Sequence, residues 1–203
     1  MKLTWLGHAC FVLEHEGYRV VADPYLRVEG YPHMYTQAHA CTCSHQHLDH
    51  NGTQRVELLE STENPFIIRT VEVFHDDRDG ALRGKNTIHI YSAGGVNVAH
   101  LGDLGHQLTE EQVEAIGPLD AVMVPVGGFY TIDAAGAKAV CGALGARMVI
   151  PMHYRHAPHG LSAVEGVEPF LALWEEVHRV SGNTIEVTAD KQGVWVPTYV
   201  KPR

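Results

Sequence analysis

At 203 residues, with 45% hydrophobic and 19% charged side chains, the chain has the make-up of an ordinary globular protein. That length suits a single domain, 1–203, with a substantial core and is short for two typical ones. A formal net charge of −9, from 24 acidic and 15 basic residues, argues against nucleic acid as a partner, because phosphate neutralisation needs clustered Lys and Arg.

Read in order, the chain opens with three short strands at 2–6, 9–15 and 18–23. Gly7 separates the first two, and Glu16-Gly17 turns the next hairpin. Asp23-Pro24 stops the third strand, since proline cannot continue a ladder. His8 falls at the first junction. Residues 24–37, rich in Tyr, Pro and Gly, form a loop long enough to be a rim or lid, with His33 solvated. A strand at 38–44 and a short helix at 53–61 bracket the stretch 43–52. Residues 66–75 are β-rich, with Val71, Val73 and His75 alternating on one face. Residues 86–92 and 95–101 form a hairpin through Ala93-Gly94-Gly95.

The pattern then changes. Thr109 caps a helix over 110–116, with Glu110 and Glu111 in its favoured first turn. Residues 120–126 are continuously apolar, as in a strand buried on both faces. A small-residue helix over 132–144 leads to a strand at 147–152. An amphipathic helix over 165–180 follows, with Phe170, Leu173, Trp174 and Val177 on its stripe. Strands near 184–189 and 193–199 close the chain. A strand-rich first half and later helix–strand alternation give an α/β class, two mixed sheets covered by outer helices.

Residues 43–52, Cys-Ser-His-Gln-His-Leu-Asp-His-Asn-Gly, hold four metal-binding side chains within six positions. His45 and His47 are two apart and project to one side of an extended segment. Asp49 and His50 converge on a second point if Asn51-Gly52 makes its turn. One loop can thus serve two adjacent ions, and a pair about 3.5–4 Å apart activates water and clamps a substrate oxygen. Further ligands must come from distant strand ends. His75 and His153 each follow a strand directly, and Asp103 follows an apolar strand beside Gly102. A carboxylate suits a bridging role because its two oxygens can face two ions. His89, in mid-strand, and His178, on the margin of a helix, are read as structural or solvated.

The run His45-Gln-His47-Leu-Asp49-His50 resembles the signature of the metallo-β-lactamase superfamily of dinuclear hydrolases. Gly7-His8-Ala9, Asp23-Pro24, His75-Asp76-Asp77 and Arg83-Gly84…Asn86-Thr87 are similar to a compact branch that includes the L-ascorbate-6-phosphate lactonase type. The resemblance implies an αββα sandwich. It implies one ion on His45, His47 and His75, a second on Asp49, His50 and His153, and Asp103 shared by both. It also draws His8 toward the active centre.

The expected chemistry is attack by a metal-bridging hydroxide on a small ester-, lactone-, amide- or phosphodiester-type substrate. Asp49 or His8 would shuttle protons. Zinc is the expected metal, with manganese, iron or nickel as substitutes. Arg83, Asn86, Tyr130, Tyr154 and Arg155 stand on post-strand loops, where substrate contacts gather, and Arg83 with Arg155 would hold a phosphate or carboxylate. A nuclease of the same fold and a non-catalytic metal-binding protein are the competing readings. Cys10, Cys41, Cys43 and Cys141 form no C-x-x-C pair, which fits buried thiols in a reducing cytoplasm. No apolar run approaches the ~18 residues of a membrane span, and no signal peptide precedes the first strand. The expected partner is a small-molecule substrate, with a homo-oligomer left open.

Overall fold

Period-2 alternation builds the first sheet. In the computed structural model, which describes residues 1–60 and 63–201, β1 (Lys2–Gly7), β2 (Cys10–His15) and β3 (Tyr18–Ala22) form an antiparallel meander. One face, with Leu3, Trp5, Phe11, Leu13, Val20 and Ala22, enters the main core. The other, with Cys10, Val12 and Val21, packs under Tyr25, Val28, Tyr31 and Met34 of the following loop. That loop therefore covers the outer face of this sheet.

The expected strand at 38–44 is broken in two. β4 (Thr36–Ala38) and β5 (Ala40–Thr42) are separated by His39, whose Nδ1 accepts the Arg19 amide at 3.0 Å. The expected helix at 53–61 is absent. Thr53–Arg55 make a single 3-10 turn with no buried residue, and Val56–Leu58 continue as β6, parallel to β4. So short a helix with no apolar face has nothing to stabilise it, while pairing satisfies the backbone. Position 61 lies outside the described residues.

β7 (Ile67–Phe74), β8 (Lys85–Ala93) and β9 (Val96–His100) form the second meander, close to the expected bounds. α1 (Glu110–Ile116) is capped by Thr109, whose hydroxyl accepts the Gln112 amide while the Gln112 side chain accepts the Thr109 amide. β10 (Ala121–Pro125) and β11 (Met148–Met152) are wholly buried and parallel, joined by α2 (Ala134–Leu144).

The long helix expected at 165–180 is a correction. Only α3 (Glu168–Leu171) is helical, and β12 (Val177–Arg179) follows. A helix beginning at 165 would place Pro169 in its interior, where the ring clashes with the carbonyl four residues back. Beginning at 168 puts Pro169 in the first turn, and one turn suffices to bury Phe170 and Leu171. β13 (Thr184–Glu186) and β14 (Gly193–Val196) complete the set.

Twelve strands assemble into a five-stranded sheet, β13-β1-β2-β3-β5, and a seven-stranded sheet, β12-β14-β11-β10-β9-β8-β7, both mixed, while β4 and β6 pair apart as a two-stranded sheet. The expected two-sheet α/β architecture is present. No helix among the described residues is long and apolar enough to cross a membrane.

Candidate metal centre

The chemistry-bearing residues sit where strands end. His8 lies between β1 and β2, Asp23 follows β3, the 43–52 stretch follows β5, and His75, Asp103 and His153 come soon after β7, β9 and β11. His8 (φ 53°), Asp23 (φ 48°) and His153 (φ 53°) adopt the left-handed backbone that L side chains avoid. Such strain costs about 1–3 kcal/mol per residue and persists where the surroundings over-determine it. Beside Asp103, Gly102 (φ +54°) packs so closely on Asn86 and Ser44 that any Cβ would collide with them.

Two groups of donors result. His45, His47 and His75 offer ligand atoms within 4.8 Å of one another, and so do His8, Asp49, His50 and His153, while Asp23 forms a third such set with His45 and His50 that links the two. Asp103 lies between the groups. Its Oδ1 is 3.2 Å from His50 Nε2, and its Oδ2 is 3.2 Å from both His75 Nε2 and His153 Nε2 and 3.9 Å from His45 Nε2. The structure thus brings together all seven ligand candidates, together with His8. Its Nε2 stands 3.4 Å from Asp49 Oδ2.

Supports hold these groups from outside. Asp23 Oδ2 bonds His50 Nδ1 at 2.7 Å and accepts the Ser44 hydroxyl, while Ser44 Oγ lies 2.9 Å from His45 Nδ1. The Asn86 side chain donates to the Leu101 carbonyl and accepts the Asp103 amide. On the inner side, His45 Nε2, His50 Nε2, His153 Nε2 and Asp103 Oδ1 are buried without any hydrogen bond, as are both nitrogens of His8. Orphaned buried donors and acceptors are costly. A cation among them would satisfy lone pairs that nothing else uses, so these residues fit a metal.

The electrostatics agree except at His50, where Asp103 and Asp23 override burial and hold the imidazole well above its ordinary value, so that an ion there would have to displace its proton. Burial, with His50 alongside, pushes the His45 imidazole down to about 3. Burial alone would raise the Asp103 carboxyl, but His153 and His50 override it and hold it well below the ordinary carboxylate range. Asp49 is likewise held low, against its burial, by His8 and His50. Ionised carboxylates and a neutral imidazole are the ligand forms that metals take.

Above the centre opens a cleft of about 640 Å³. Of the five expected substrate contacts, Arg83 and Tyr130 line it. The other three are corrections. Asn86 is fully buried and spends its amide on the backbone around Asp103. Tyr154 is buried against Trp5, ring centroids 5.6 Å apart, and with Arg155 lines a separate cleft. His153 turns sharply at φ 53°, so the residues after it leave the rim. Missed in the sequence were Asp23 as the His50 support, and Arg27, Glu29, Leu48 and Leu161 as cleft walls. The reading of 24–37 as a rim was the only signal for Arg27 and Glu29.

Asp76 shapes the cleft indirectly. Its two oxygens accept the backbone amides of Arg78, Gly80, Leu82 and Arg83 at 2.7–3.0 Å. Against the burial that would raise it, these bonds, led by that from Arg83, hold the carboxyl at about 2, below its ordinary 3.8. A lowered folded pKa contributes stability above the unfolded value and loses it as pH falls through the folded one. The four amides should therefore lose exchange protection between about pH 4 and about pH 2, and Asp76→Ala should remove that protection already at neutral pH. Protection unchanged in the variant would show that Asp76 does not hold the loop.

A profile of the β-lactamase superfamily domain matches residues 2–153. A solved structure from Thermotoga maritima, named as a candidate Zn-dependent hydrolase of the metallo-β-lactamase superfamily, shares 38% identity, covers 97% of each chain and superimposes with a TM-score of 0.79. A Methanosphaerula palustris relative named UPF0173 metal-dependent hydrolase is 30% identical over 193 residues, 78% of this chain and 85% of the relative. A Pyrococcus furiosus UPF0173 protein is 28% identical over 179 residues, 76% of this chain and 83% of its own.

Proposed function

The chain belongs to the β-lactamase superfamily as a metal-dependent hydrolase, and from that premise we propose that it cleaves a small ester-, lactone- or phosphodiester-type substrate with two divalent ions. One observation carries this reading: a buried carboxylate, Asp103, within 3.2 Å of imidazoles from both donor groups, beneath an open cleft. His45, His47 and His75 would hold one ion, Asp49, His50 and His153 the other, and Asp103 both. Zinc suits this donor set, with manganese, iron or nickel as substitutes.

Bound there, the ions supply an activated water and polarise a substrate oxygen. The chain's own residues do the rest. Asp23 and Ser44 orient His50 and His45 from behind, which fixes the tautomers that face the centre. Asp49 reaches the cleft while touching buried His8, so a proton taken from water has a route to the leaving oxygen. Water is the sole co-reactant: its hydroxyl joins the acyl or phosphoryl centre and its proton the leaving group. A cleft of about 640 Å³ suits a small molecule as partner. Four free cysteines are in keeping with a reducing cytoplasm.

Metal-replete protein should hold close to two equivalents of divalent ion by elemental analysis, and should hydrolyse at least one class in a panel of esters, lactones, thioesters and phosphodiesters. Less than one equivalent overturns the two-ion reading. Full metal with no turnover of any class favours a metal-binding protein over an enzyme.

A further inference from the structure

We infer that the cleft selects substrates bearing an anionic group, a carboxylate or phosphate, remote from the bond that is cut, and that Arg27 and Arg83 receive it. The inference rests on the hydrolase reading above and adds a substrate class to it. The chain carries 24 acidic against 15 basic residues, and Arg19 lies 4.0 Å from Glu14. Arg147 pairs with Asp120 at 2.6 Å and Arg179 with Glu168 at 2.8 Å. Among the described residues, Arg27 and Arg83 have no carboxylate partner, and both line the metal cleft. Arg55, Arg69, Arg78 and Arg155 also lack a carboxylate partner among the described residues, but none of them lines the cleft.

Arg83 is anchored by its side chain and Arg27 through its backbone alone, its side chain being exposed. Arg83 is half-buried, donates to the Phe129 carbonyl at 3.2 Å, lies over the Tyr130 ring at 5.5 Å, and stands on the loop that Asp76 clamps. Arg27 stands on a segment tied to the metal loop, where the Leu26 and Arg27 amides donate to the Leu48 carbonyl at 2.8 and 3.4 Å. Glu29, the remaining charge on the outer wall, is turned to the Ser162 amide at 3.0 Å and pairs with neither arginine. Two guanidiniums with no carboxylate partner on the wall of the metal cleft, Arg83 half-buried and Arg27 exposed, make a receptor for an oxyanion. Val28, Leu48 and Leu161 supply the apolar wall for the carbon chain that separates this group from the scissile bond.

The test compares p-nitrophenyl butyrate with mono-p-nitrophenyl glutarate and p-nitrophenyl 4-phosphonobutyrate on zinc-loaded protein. The two anionic esters tell a carboxylate preference from a phosphate preference. The wild type should favour at least one of them in kcat/KM. Arg27→Ala and Arg83→Ala should each cut that anionic-to-neutral ratio by about tenfold or more, chiefly through KM. Arg155→Ala should keep the wild-type ratio. A ratio near one, or one that neither cleft variant lowers, overturns the anion site while the hydrolase reading stands. If no ester turns over, glutarate binding to zinc-loaded protein, read by calorimetry, decides the matter. Binding weakened about tenfold in both cleft variants but not in Arg155→Ala supports the site, and equal binding in all forms overturns it.

Discussion

Asp103→Ala is expected to empty the whole centre, taking both equivalents of metal and at least about 10³-fold of turnover with it. The expectation follows from position. Asp103 is 2% exposed, and its oxygens approach imidazoles of both donor groups, 3.2 Å from His50, His75 and His153 alike. Without it, each set of donors keeps its histidines but loses a negative charge and a shared ligand. Remaining ligands held apart by strand ends cannot move in to compensate. His89→Ala is the matched control, since His89 is also a buried histidine, stacked on Tyr91 with ring centroids 6.1 Å apart and belonging to neither group. Metal analysis on both variants, with circular dichroism to confirm folding, separates the outcomes. A folded Asp103→Ala protein that keeps a full equivalent tightly bound means the carboxylate serves one ion alone.

What could be read in the sequence was whatever depends on local order. Four ligand-type residues in six positions announce a site wherever the chain goes. Histidines and a carboxylate just past apolar strands are legible too, because strand ends at one rim of a sheet gather in space. The strands of β1–β3 and the capped helix at 110–116 were equally readable, since alternation and the Thr109–Gln112 box are local features. The misreadings share a different cause. Phe170, Leu173, Trp174 and Val177 do recur at helical spacing, but Pro169 and the open edge of β14 decide the outcome, and the second of these is tertiary. Tyr154 and Arg155 follow His153 in sequence and leave its cleft in space because of a single left-handed residue. Arg27 lines the cleft because its loop folds back over the first sheet, seating Tyr25 and Val28 in an outer core that no short-range pattern reveals.

His8→Gln should keep both metals and lower turnover by roughly 10²–10⁴-fold, the scale of a lost general acid–base step. His8 is fully buried, and its imidazole faces inward, with ring centroids 4.2 Å from His153 and 5.2 Å from His50. Its backbone is locked: the carbonyl accepts the Trp5 indole N–H at 2.9 Å and the His153 amide at 3.3 Å, which holds a strained φ of 53° in place. Its Nε2 stands 3.4 Å from Asp49 Oδ2, which makes Asp49 the carboxylate through which it would pass a proton. Glutamine can still donate a hydrogen bond to that carboxylate, which preserves the orientation of Asp49, but it cannot take up and return a proton. Rate and metal content therefore part company if His8 handles protons. They fall together if His8 is itself a donor to the ion beside Asp49, His50 and His153, whose ligand atoms lie within 4.8 Å of its own. A variant that retains both metals and full turnover, with only a lowered melting temperature, assigns His8 to packing and removes it from the reaction.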